Sequence, residues 1–220
     1  MSMEAQTIVS PYARSCQGAH LLGRVLEHVN EHTSADADYH FTEAHHISRA
    51  AETLLAMLHA DSDGAPSGDR YLYFLPRALC YSALMVLYDV HACIEVDDIE
   101  SVGGNRGLRL ELQQSAINGF KHLITHVSRF AADVDLALEN GGMNQISSMI
   151  AHCLYSAGAT YGWYHRETSD TRHLEALAKL RNTLKSLEPH WSVASMRLSS
   201  IVYAKRVADD VTSGVSASAV

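Results

Sequence analysis

The chain has 220 residues, of which 47% are hydrophobic and 19% charged, a length able to bury roughly 70% of its unfolded surface in a core of its own. That composition argues against both a disordered tail and a membrane bundle. With 17 Lys and Arg against 25 Asp and Glu the formal charge is -8. DNA affinity draws on phosphates neutralised by basic groups, so direct nucleic-acid binding by this chain alone is not expected.

No segment alternates apolar and polar residues as a strand face does, whereas apolar residues recur every three or four positions throughout, the period of amphipathic helices. The first helix follows Pro11 and sets Leu22, Val25, Leu26 and Val29 on one stripe. The second starts near Thr42 as N-cap and carries Ile47, Ala51, Leu54 and Leu58. A surface loop, Asp61 to Asp69, separates it from a central apolar helix between Tyr71 and Ile94, with Pro76 in or near its first turn. The charge-free part of that helix runs only from Ala78 to Tyr88, short of the ~18 to 20 residues of a membrane span. A fourth helix, Leu108 to Leu138, turns Ala116, Phe120, Leu123, Val127, Phe130 and Val134 to one side. His122, His126 and Arg129 fall opposite. The stretch from Asn140 to His165 is also free of acidic and basic charge, but Asn144, Gln145 and His152 would be costly in hydrocarbon, so it reads as a further buried helix.

The last region, Thr171 to Val207, places Leu177, Leu180, Leu184, Leu187, Trp191, Ala194 and Leu198 in steps of three and four, and Pro189 divides it into two helices. The reading is all-α: a single multi-helix domain of about seven amphipathic helices over 11–210, an N-terminal extension over 1–10 and a flexible tail over 211–220. No membrane contact is expected.

Four cysteines, Cys16, Cys80, Cys93 and Cys153, are too far apart for a C-x-x-C clip, and the last three sit in apolar runs where a thiol acts as a small hydrophobe. No secretory leader is recognisable, so a reducing compartment is expected. His28-Val-Asn-Glu31-His32 fits the H-x-x-E-H pattern of inverted zinc peptidases, but no second motif supplies a third ligand from another helix. The simpler reading is two histidines bordering an apolar stripe. His122 and His126 lie one turn apart on a solvent face, and His45-His46 reads as a polar helix face.

Gly103-Gly-Asn-Arg-Gly107 follows Glu95, Asp97, Asp98 and Glu100, carboxylates that would repel a phosphate, and reads as a turn. Gly158-Ala-Thr160-Tyr-Gly162 lies in a helical pattern, where its glycines would let a neighbouring helix approach. No catalytic residues, metal ligands or cofactor are therefore expected, and the chain is not expected to be an enzyme.

Five apolar strings occur in order: Leu21-Leu-Gly-Arg-Val25, Leu79-Cys-Tyr-Ser-Ala83, Leu87-Tyr-Asp89, Cys153-Leu-Tyr-Ser-Ala157, and Leu177 to Leu198 with Trp191 and Ala194. Together they resemble the C-terminal part of the fungal-specific transcription factor domain, the helical regulatory region of fungal binuclear zinc cluster regulators, over about Pro11 to Arg206. The six-cysteine DNA-binding cluster of that family does not occur in this sequence. The resemblance implies a nuclear protein that controls RNA polymerase II transcription through a small-molecule effector, transcriptional co-regulators or self-association. Two alternatives are a helical protein-binding adaptor and a metal enzyme built on His28, Glu31 and His32.

Overall fold

The computed structural model describes residues 9–30, 37–92, 106–168 and 172–189. Every regular element among them is helical. Six α-helices follow in order: α1 Pro11–Asn30, α2 Ala37–Gly64, α3 Phe74–Ala92, α4 Arg106–Glu139, α5 Ser148–Thr168 and α6 Arg172–Leu187. Single 3-10 turns, Arg70–Tyr73 and Gly142–Gln145, precede α3 and α5. The seventh expected helix, with Trp191, and the terminal segments 1–8 and 211–220 lie outside the described residues. The expected span of 11–210 covers two compact units, Met1–Gln113 and Gln114–Val220.

In the first unit, α1 starts where the sequence offers both a cap and a preset φ: the Ala13 N–H donates to Ser10 Oγ at 3.2 Å, and Pro11 fills the position that needs no N–H. α2 starts five residues before Thr42, at Ala37, because the buried stripe extends back from Ile47 through Ala44 to Phe41. It also runs on through Asp61 to Gly64, so the expected loop is reduced to 65–69. The Asp69 N–H closes that loop on the Pro66 carbonyl at 2.8 Å.

Fifteen of the nineteen residues of α3 are buried. The stretch Arg70–Ala92 is long and apolar enough to cross a bilayer, but 78% of its apolar 18-residue window is buried inside the protein.

Val25, Ala44, Ile47, Ala83 and Leu87 form the apolar centre where α1, α2 and α3 meet, with Leu22, Val29, Val86 and Leu112 packed around it. The stripe of α1 differs from expectation at Leu26, which is 45% exposed, while Arg14 and His28 are buried in its place. Both polar groups have partners on α2: Arg14 Nε donates to Asp61 Oδ2 at 2.8 Å, and His28 is bonded to Glu43. Pairing of this kind is what makes a buried charge or imidazole tolerable.

α1 and α3 cross closely at Gly18, where an added Cβ would lie 3.2 Å from both Leu79 Cβ and the Pro76 carbonyl oxygen. Neither neighbour is the free end of a flexible side chain. Gly18→Leu should therefore cost about 1 to 3 kcal/mol in denaturant melts, overpacking outweighing the better helix propensity; an unchanged or raised midpoint would show that the crossing is loose.

In the second unit the stripe of α4 is buried as its period requires, from Ala116 through Phe120, Leu123, Val127 and Phe130 to Val134. α5 begins at Ser148 and not at Asn140, because Gly141, at φ 79°, turns the chain into the short 3-10 turn. Ser147 Oγ then accepts the Met149 N–H at 3.3 Å as the cap. Tyr161 on α5 is buried and its hydroxyl donates to the Ile124 carbonyl of α4 at 2.9 Å. Thr183 on α6 donates to Asp135 of α4 at 2.8 Å. Leu180, Leu184 and Leu187 are buried as expected. The expected close approach at Gly162 is not found among the described residues, none of which lies within 4 Å of a Cβ placed there.

Candidate metal centre

Three positions in the first unit each lie one helical turn from the apolar centre: His28 follows Val25 on α1, His40 precedes Ala44 on α2, and His91 follows Leu87 on α3. Because side chains three or four positions apart share a helix face, the packing that joins those apolar residues also draws the three imidazoles together. One ring nitrogen from each lies within 4.8 Å of the others. His28 Nε2 and His91 Nε2 are 3.2 Å apart. The rings of His28 and His40 are stacked, with centroids 3.9 Å apart and planes 12° from parallel, and His91 meets His40 nearly edge-on. His28 and His91 are buried, and His40 is half-buried, the most exposed of the three.

Glu43, one turn along α2 from His40, approaches His28 from its other edge, with Oε2 3.1 Å from Nδ1. A carboxylate only accepts, so Nδ1 of His28 carries the hydrogen and, in the neutral ring, Nε2 presents its lone pair toward His91. Arg24 of α1 pairs with the other oxygen of Glu43. The carboxylate is thus held between a guanidinium and an imidazole, which fixes the ring of His28.

The proton affinity of His91 is lowered from 6.5 to about 4, first by burial and then by the positive charge that His28 and His40 would bring beside it. At neutral pH His91 is an uncharged imidazole, the form that binds a metal or shares one hydrogen with a neighbour. Elsewhere in the unit, burial pushes the Cys80 thiol up to about 12, which keeps it protonated and unreactive.

Of the three candidate ligands in the H-x-x-E-H string only His28 lies among the described residues; Glu31 and His32 fall outside them, as does Cys93. His28 finds its neighbours on other helices. No sequence motif contains His40 or His91: a helix that starts at Thr42 leaves His40 outside it, and His91 is one polar residue in an apolar run. Glu43 carried no motif. His122 and His126 sit on α4, exposed and half-buried respectively, and His45 and His46 are exposed on α2. Of the Gly103–Gly107 string only Arg106 and Gly107 are described, at the start of α4. Gly158 to Gly162 lies inside α5, as the helical pattern predicts. No family model, characterised protein or solved structure matches the chain.

Proposed function

We propose that this chain is the regulatory helical part of a transcription regulator, acting in the nucleus through ligand-dependent repacking of its helices and not through its own contacts with DNA. The observation that carries this reading is the junction of His28, His40 and His91, where one ligand would touch α1, α2 and α3 at once. A ligand that favours one arrangement of three helices over another shifts the population between them by its difference in affinity. The ordered strings from Leu21 to Leu198 support the regulatory part of the reading. The formal charge of -8 supports the absence of phosphate contacts by this chain. In this reading the chain performs no chemistry of its own, and its output passes to co-regulators or to a second copy.

Fused to an unrelated DNA-binding domain in a fungal cell, the chain should change reporter expression, or modulate an attached activation segment, in a manner that depends on growth conditions. Nuclear fusions at ordinary levels that never alter the reporter under any nutrient or stress would exclude the regulator and favour the protein-binding adaptor.

A further inference from the structure

We propose that His28, His40 and His91 form a binding site for one borderline divalent transition-metal ion, with zinc as its representative, and that Glu43 is the positioning residue that aims His28 at it. The inference deepens the regulatory reading by naming the class of ligand at the three-helix junction.

The separation of the two buried nitrogens is the first argument. Tetrahedral zinc holds imidazole nitrogen at about 2.0 to 2.1 Å, which places two such nitrogens roughly 3.3 to 3.4 Å apart. His28 Nε2 and His91 Nε2 are 3.2 Å apart. Their distance is already that of two ligands on one ion, and an ion between them would replace the single hydrogen they share.

The second argument is the hydrogen on His28 Nδ1. A metal-bound imidazole usually donates its other N–H to a carboxylate or carbonyl, which fixes tautomer and ring plane. Glu43 supplies that carboxylate at 3.1 Å, and Arg24 holds Glu43 from the far side.

His40 completes the set and provides the way in. Its ring is half-buried, and it reaches the metal by tilting out of its stack on His28, a side-chain rotation that closes the 4.8 Å spread of the three nitrogens. Three imidazoles and no thiolate or carboxylate ligand select zinc, copper(II), nickel or cobalt over magnesium and calcium, which prefer oxygen. Three protein ligands leave a fourth position for a solvent molecule.

The test uses the full chain without a histidine tag, stripped with a chelator and titrated with zinc alone. One zinc per chain should bind tightly. His40→Ala should lower the affinity at least about 100-fold, and Glu43→Gln about 10-fold to 100-fold by freeing the ring of His28, without removing a ligand. His122→Ala with His126→Ala should leave the tight site as it was.

Failure to take up stoichiometric zinc, or equal uptake by His40→Ala, would overturn the site. Imidazole NMR of the unsubstituted protein reads the same question without any change of sequence. Zinc should move the signals of His28, His40 and His91, and shifts confined to His122 and His126 would overturn the assignment. The regulatory reading is separated from the site by repeating the reporter assay with His40→Ala. If zinc binds and the reporter ignores His40→Ala, the site stands and the regulation through it falls; a reporter that responds to growth conditions in a protein that binds no zinc sinks the site alone.

Discussion

Between pH 7 and pH 4, chelator-treated protein should lose about 3 kcal/mol of stability through His91 alone, the 2.5-unit fall of its proton affinity from 6.5 to about 4 taken at about 1.4 kcal/mol per unit. Above pH 6.5 the ring is neutral in the folded and the unfolded chain, and the contribution is constant. Below 6.5 the unfolded chain binds a proton that the folded chain refuses, so stability declines until about pH 4, where the folded ring is protonated as well. Among the described residues the titratable groups that face His91 are His28 and His40, with Glu43 and Arg24 behind them. Asp89 on α3 and Asp135 in the second unit have raised proton affinities, chiefly from burial; they favour the folded state as acid is added and partly mask the loss. The informative quantity is therefore the difference between the unsubstituted protein and His91→Gln, followed by urea melts at several pH values. Parallel curves for the two proteins would show that His91 is not held neutral.

Phe130→Ala should produce the largest loss in the second unit, about 3 to 5 kcal/mol. The ring is fully buried on the stripe of α4, with Val127, Ala131 and Val134 equally inaccessible, so truncation removes the burial of an aromatic ring and leaves a void that close packing can only partly close. Leu136, on the same helix, is 60% exposed, and Leu136→Ala should stay within about 0.5 kcal/mol. The pair reads the face of α4 directly. Comparable losses at both positions would mean that the helix is rotated from the orientation described.

Periodicity made the helices legible where polar and apolar residues segregate cleanly, as along α4 and in the Leu180, Leu184 and Leu187 face of α6. It failed at boundaries. Phe41 and Ala44 belong to the stripe of α2, but the N-cap preference of Thr42 drew the start of the helix past His40, although Thr42 sits exposed within the helix. At Asn140 the absence of charge suggested a helix where the left-handed Gly141 turns the chain. The imidazole cluster was hidden for another reason. Each of its histidines is unremarkable on its own helix, and what unites them is a shared distance of one turn from Val25, Ala44 and Leu87, a relation that exists only once three separate segments have packed. Glu31 and His32 stand beside His28 in sequence, whereas Glu43, the carboxylate that meets its ring, comes from a separate segment.

The Arg14–Asp61 ion pair and the imidazole cluster stand at opposite ends of the α1–α2 contact, with Arg14 and His28 fourteen positions apart on α1, roughly 21 Å along its axis. The two act as pins through a pair of plates. If α1 slid by one turn, about 5.4 Å, it would strand a guanidinium at one end and an imidazole at the other in the same movement, each left buried without its partner. Translation of α1 along α2 is thereby blocked, and so is a tilt about the tight α1–α3 contact at Gly18, because His28 lies ten positions from that pivot, roughly 15 Å along the axis, and would swing off Glu43. A rearrangement of α1 against α2 therefore has to release one of the two pins, and the imidazole end is the one a ligand can re-bond.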